Sequence, residues 1–137
     1  MKRSASLLLM ELTIMLLVFA LAAALCVRAF VWADSRSSQS TAEDMALLHA
    51  QNAAEVLKHC DGDFALASKT HGGNWDGIWV ISYNEQWEIT DSTPAYCLQA
   101  EPVDTEQDLL GKAKLTVRDK EGTILAELSV CWQEVTP

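Results

Sequence analysis

The sequence predicts an α+β protein, in which a long N-terminal helix with a membrane half and an amphipathic half packs on a C-terminal antiparallel β-sheet. Three observations predict this fold. No glycine or proline occurs from residue 1 to residue 60, the segment 7–27 is almost purely apolar, and later segments alternate apolar with polar residues. We expect four parts: a leader peptide at 1–6, a transmembrane part at 7–33, an amphipathic helix at 34–60 and an extracytoplasmic sheet domain at 61–137.

The first element is a helix long enough to cross a membrane. Leu7 to Val27 spans 21 residues with one acid, Glu11, and a helix of that length reaches about 31 Å. Lys2 and Arg3 precede it. The positive-inside rule therefore favours a single-pass protein with a cytoplasmic N-terminus and its C-terminal domain outside the cell membrane.

The second part of the helix is amphipathic. A polar, serine-rich stretch at 34–40 is interpreted as a hinge or a frayed turn. Beyond it, apolar residues recur at spacings of three and four. These are Ala42, Met45, Ala46, His49, Ala53, Val56, Leu57 and Cys60. Gly62 indicates the helix end, and a further short helix is expected at 63–70 before the glycines of the "HGGNWDG" segment.

The remainder predicts strands at 78–83, 87–90, 96–101, 112–119 and 123–135, with a hairpin turn at "DKEG". The last strand separates into an apolar and a polar face. The apolar face is Ile124, Ala126, Leu128, Val130 and Trp132. Such a sheet needs a cover for its apolar face, and the amphipathic helix is expected to provide it.

Charge and motif content exclude several classes of function. From Asp34 to Pro137 the chain has 7 basic and 18 acidic residues, a net charge of −11, which disfavours nucleic-acid binding by this part alone. The sequence lacks nucleotide-binding and hydrolase motifs and histidine–cysteine metal-ligand spacings, so no enzyme activity and no cofactor are expected. His49 and the four tryptophans after residue 60 are interpreted as packing residues.

Glu11 is the unusual residue of the apolar stretch. A carboxylate inside a membrane segment is costly and commonly functional. One interpretation is an acid tolerated near the membrane interface. The other is an acid paired with a positive charge, supplied by this chain or by a second copy of it.

The short basic leader, the segment "LLLMELTIMLLVFALAAAL", the helical continuation and the terminal sheet together resemble the type IV pilin-like family. This family includes pilins and the pseudopilins of type II secretion and competence systems. The resemblance is specific over about residues 2–33 and architectural beyond them. The family has glutamate as its fifth mature residue, which aligns Glu11 and makes Leu7 the first mature residue. It commonly has glycine before the cut and phenylalanine after it, where this chain has Ser6 and Leu7.

The resemblance implies a function. A prepilin peptidase would cut between Ser6 and Leu7, and Glu11 would pair with the amino-terminal charge of a neighbouring subunit. The implied partners are other pilin-like subunits, the inner assembly platform, and membrane lipid through residues 7–33. The implied product is a filament, which can extend outside the cell.

Two further sites are considered. Cys97 and Cys131 lie on polar faces of predicted strands and are candidates for a disulfide, the alternative being two unpaired thiols. Asp104, Glu106 and Asp108 alternate in "VDTEQD", a weak candidate for calcium. Some pseudopilins bind calcium in their sheet loops. The segment lacks an internal glycine and a bidentate acid at its end, so a solvated acidic loop is the preferred interpretation and no metal is expected.

Two other functions remain open. The first is a lone single-pass membrane protein whose acidic outer domain binds a soluble partner without forming filaments. The second is a secreted domain released by ordinary signal cleavage after Ala33, although the apolar stretch is longer than that of a usual signal peptide.

Overall fold

The computed structural model describes residues 2–134 and confirms the α+β class. Met1 of the expected leader, and Val135 at the end of the expected last strand, lie outside the described residues. The elements in chain order are α1 (Lys2–His59), α2 (Phe64–His71), β1 (Asn74–Trp75), β2 (Trp79–Tyr83), β3 (Tyr96–Val103), β4 (Leu110–Asp119) and β5 (Ile124–Gln133). They form two compact units, Met1–Ser40 and Thr41–Pro137.

The described part of the first unit is helical throughout. Residues 34–40 continue α1, so the hinge or frayed turn expected there is wrong. The helix is long and apolar enough to cross a membrane, with a mean hydropathy of 2.6 in its most apolar 18-residue window and none of that window buried. Length and composition alone support this interpretation.

Helix α1 ends where the sequence predicted. The Gly62 amide donates to the Leu57 carbonyl at 3.0 Å and the Asp61 amide donates to the Lys58 carbonyl at 3.1 Å. This pair of hydrogen bonds is the Schellman arrangement, with Asp61 in the left-handed position at φ 53°. The predicted second helix follows as α2, capped by the Asp63 carboxylate, which accepts from the Leu66 amide at 3.0 Å.

The sheet is a five-stranded meander in which every strand pairs antiparallel with the next, in the order β1-β2-β3-β4-β5. The predicted strand at 87–90 is wrong. Asn84 accepts hydrogen bonds from the amides of Gln86 and Glu88, both at 2.9 Å, and closes this segment into a turn. Only a single bridge, from Tyr83 to Ile89, joins it to the sheet.

Strand β5 contains a bulge that the sequence did not predict. The register runs from Val117 opposite Ala126 to Arg118 opposite Ile124, so Leu125 is the inserted residue. Ile124 therefore shares a face with Arg118 and is 49% exposed, which corrects its expected place on the apolar face.

The core of the second unit lies between the last turns of α1 and one face of the sheet, which we call the core face. The helix contributes mainly alanines, and the sheet contributes larger side chains. The helix residues are Ala46, Ala50, Ala53, Ala54 and Leu57; the sheet residues are Trp79, Ile81, Tyr83, Leu98, Ala100, Ala113, Leu115, Val117 and Val130. The small helix residues leave most of the space between the helix and the sheet to the larger side chains of the sheet. The opposite face of the sheet, the open face, carries the polar side chains of the same strands.

Candidate functional site

Glu11 lies on an apolar face of α1. Leu7, Met10, Ile14 and Met15 surround it, at the spacings of one side of a helix. These four neighbours are between 50% and 68% exposed, so no other part of the described chain packs over the Glu11 carboxylate. Among residues 2–134, the Glu11 side chain makes no hydrogen bond and no ion pair. In hydrocarbon such an acid is costly, and a partner from outside the described chain would relieve that cost.

The other predicted residues of this segment are placed on the same helix. Ser6 and Leu7 lie in the first turns of α1 and are exposed. The Thr13 hydroxyl donates to the Leu9 carbonyl at 2.7 Å, so this polar group is satisfied within the helix, as a membrane segment requires.

An aromatic cluster connects α1 to the sheet in the second unit. Trp87 is stacked between two rings: His49, with ring centroids 5.1 Å apart, and Tyr96, with ring centroids 4.0 Å apart. Tyr83 lies beneath, 4.6 Å from the His49 ring. His49 is thus a packing residue, as predicted, but it is half-buried rather than fully buried.

The cluster contains titratable groups held away from water. Burial lowers the pKa of His49, and the charge of His71 lowers it further. Burial also lowers the pKa of His71, whose Nε2 is buried without a hydrogen-bond partner, and raises the pKa of Tyr83 to about 12. Neutral forms are therefore favoured, and we assign these groups to packing rather than to catalysis.

Trp132 packs in a notch at one end of the sheet. Two glycines, Gly62 and Gly111, contact its indole so closely that either would clash with it if it carried a Cβ atom. Phe64 meets the same ring edge-on, with centroids 6.2 Å apart. The four tryptophans after residue 60 all contact the core, which confirms their interpretation as packing residues.

The acidic segment 104–109 is a turn between β3 and β4, here called the acidic turn. Asp104, Glu106 and Asp108 are all exposed on it. Within residues 2–134 no three histidine, cysteine, aspartate or glutamate side chains come together in a way that could hold a metal ion. The weak calcium candidate therefore gains no support from the structure.

The candidate disulfide between Cys97 and Cys131 is not formed, and the alternative of two unpaired thiols is the one observed. Cys97 lies on β3 opposite Arg118, and Cys131 lies on β5 opposite Lys112. Strand β4 separates them by about 9–10 Å across the sheet, and six residues along β4 add about 20 Å, well beyond disulfide range. All four cysteines are free thiols.

Comparison with known proteins adds no relative. No family model matches the chain, and no curated protein and no solved structure is found to be similar to it. The functional argument therefore rests on the residues themselves.

Proposed function

We propose that the chain is a pilin-like structural subunit of a type IV pilus, competence or type II secretion-type filament, assembled through its N-terminal helix. The observation that supports this proposal is Glu11, an acid on an exposed apolar face of α1 whose side chain has no partner among the described residues. If Glu11 pairs with a positive charge of a neighbouring subunit, the assembled subunits are more stable than single subunits dispersed in the membrane. The reason is that the carboxylate has a partner only in the assembly.

The proposal includes processing and location. Cleavage between Ser6 and Leu7 by a prepilin peptidase would place a new amino group near Glu11. The single-pass subunit would wait in the cell membrane with its sheet domain outside, and the inner assembly platform would extract it into the filament. In this role the protein is a structural subunit and not an enzyme, and the acidic outer domain does not bind nucleic acid.

The test is removal of the Glu11 charge. Glu11→Ala and Glu11→Gln should both lower crosslinked multimers and surface filament, while monomer in the membrane stays constant or rises. Insertion should not suffer, because neutralising a membrane acid lowers the cost of insertion, by at most about 2–3 kcal/mol since Glu11 lies near the end of the apolar stretch. Intact-mass measurement of the same preparations should show a chain that starts at Leu7.

A matched control keeps the composition constant. The exchange Glu11→Ile with Ile14→Glu moves the acid by about 4.5 Å along the same helix face. It should insert like the natural chain yet fail to assemble. Normal multimer levels in all three variants at equal expression would favour the lone single-pass protein. A mature chain starting at Asp34 would favour the secreted domain.

A further inference from the structure

The open face of the sheet has basic residues along β4, with Glu101 and Glu127 on the neighbouring strands. Residues 41–134 contain six lysines and arginines, and four of them lie on β4 or in the turn after it. Gly111, Ala113, Leu115 and Val117 of β4 are buried on the core face. The alternate residues Lys112, Lys114 and Arg118 lie on the open face, and we call these three residues the basic stripe.

The two ends of the basic stripe are not neutralised within the domain. Lys114 pairs with Glu127 at 3.3 Å, an exposed ion pair. Lys112 lies between Val103 and Cys131, and Arg118 lies between Cys97 and Ile124. Arg118 donates to the Gly122 carbonyl at 3.4 Å. Neither Lys112 nor Arg118 has a carboxylate partner among residues 2–134.

The acidic turn offers the complementary charge in a fixed shape. The Thr105 hydroxyl contacts the Leu110 carbonyl at 2.6 Å and the Gln107 carbonyl at 3.2 Å. The Glu134 amide donates to the Leu109 carbonyl at 3.0 Å and ties the turn to the end of β5. The three carboxylates of the turn are thus presented to solvent on an ordered backbone, with no ion pair in the described part of the chain.

We propose that the basic stripe of one copy docks the acidic turn of a second copy. The proposal rests on the proposed function in one respect, since assembly through the N-terminal helices would bring the copies together. Exposed ion pairs contribute little each, so the contact sets the register between neighbouring domains rather than holding them. Lys112 at one end of the stripe lines the same surface depression as Asp104 and Asp108 of its own copy. The stripe and the turn are nevertheless different segments of the chain, so the contact can repeat from copy to copy along an assembly.

A thiol already present on the open face makes the contact measurable. Cys131 is exposed and lies opposite Lys112. Two full-length copies with different tags are expressed together in membranes, one carrying Gln107→Cys with Cys131→Ser and the other carrying Cys131 unchanged. A short bismaleimide should link the two tags. The same pair without Gln107→Cys measures the background from the other cysteines.

Charge exchange decides whether electrostatic pairing is the cause. Lys112→Glu with Arg118→Glu in the Cys131 copy should lower the linked product about tenfold or more, because like charges then face each other. Asp104→Lys with Asp108→Lys in the other copy should do the same. Both pairs together should restore the product. Lys69→Glu, an exposed charge on α2, is the control and should change nothing.

The outcomes separate this proposal from the filament proposal. Self-docking is overturned if no crosslinked product forms, if charge reversal does not change its amount, or if the double exchange does not restore it. No crosslinked product is also expected if the basic stripe binds a different acidic protein. If Glu11→Ala leaves assembly normal while the charge exchange behaves as stated, docking stands and the helix pairing fails. If Glu11→Ala abolishes assembly and charge exchange does not change the crosslinked product, the filament proposal stands and the docking proposal fails.

Discussion

His49 and His71 couple the protonation state of the second unit to its stability. Burial lowers the pKa of both below the ordinary value of 6.5. Between that value and the folded-state pKa, the unfolded chain binds more protons than the folded chain, so the free energy of unfolding falls as pH falls. The contribution is complete above pH 6.5 and is lost as pH drops through the folded-state pKa.

The corresponding prediction concerns the urea midpoint of the full-length protein. It should be constant from about pH 8 to pH 7 and fall as pH drops below about 6.5. His49→Phe with His71→Phe keeps two aromatic rings and removes both titrating groups, so the decline should flatten. Equal slopes for the natural protein and the double variant would show that other groups cause the decline.

Gly111 tests the packing of Trp132. Gly111→Ala should lower the free energy of unfolding by about 1–3 kcal/mol, because the new methyl group overlaps the indole. In a Trp132→Leu background the same substitution should cost much less, and circular dichroism in urea measures all four proteins of this cycle. Gly122→Ala is the control, because φ is +86° and nothing lies near its Cβ position. This substitution adds only backbone strain, so it should lower the free energy of unfolding equally in the natural and the Trp132→Leu backgrounds.

Single residues were predicted unevenly. Glu11 was found from the sequence because one acid contrasts with an apolar run. The stack of His49, Trp87 and Tyr96 was not found, because its members come from a helix, a turn and a strand far apart in the chain. The sequence signal that could have indicated a turn here was Asn84, since asparagine favours turns. Its hydrogen bonds hold the segment that carries Trp87.

At the scale of elements, α1 depends on alanines where it meets the sheet. Ala50 is fully buried, so Ala50→Leu should lower the free energy of unfolding by about 1–3 kcal/mol through overpacking. Asn52→Leu, on the exposed side of the same turns, should stay within about 0.5 kcal/mol of the natural protein. Urea unfolding of both variants measures the difference. Similar values for the two would mean that the alanine face does not limit the approach of helix to sheet.

Four of the five predicted strands and both predicted helices are observed, whereas 87–90 is a turn and β1 was not predicted. The end of α1 was marked by Gly62 and the strands by alternation, because both signals are local. The bulge at Leu125 was missed, since an inserted residue leaves the strand pattern intact on either side of it. The Cys97–Cys131 disulfide was wrongly considered for a related reason: alternation shows the face on which each cysteine lies, but not the strand order that separates them.

At the scale of the whole molecule, the boundary predicted between the helix and the sheet domain differs from the boundary between the two compact units. The amphipathic helix was grouped apart from the sheet at residue 60. In the structure, residues 41–59 belong to the same compact unit as the sheet. The physical reason is that the core needs both layers, and all of its buried apolar residues lie between Ala46 and Val130.

This division predicts the folding of fragments. Residues 41–137 contain the whole core and should fold without residues 1–40, with cooperative urea unfolding at the midpoint of the full-length protein. Residues 61–137 lose the five buried helix residues from Ala46 to Leu57. Their sheet would expose a large apolar face that includes Trp79 and Leu98, so no cooperative transition is expected and the fragment should aggregate. Far-UV circular dichroism and sedimentation of both fragments measure this. Cooperative unfolding of the shorter fragment would show that the sheet is stable without its helix, whereas failure of the longer one would mean that residues 1–40 contribute to the fold of the second unit.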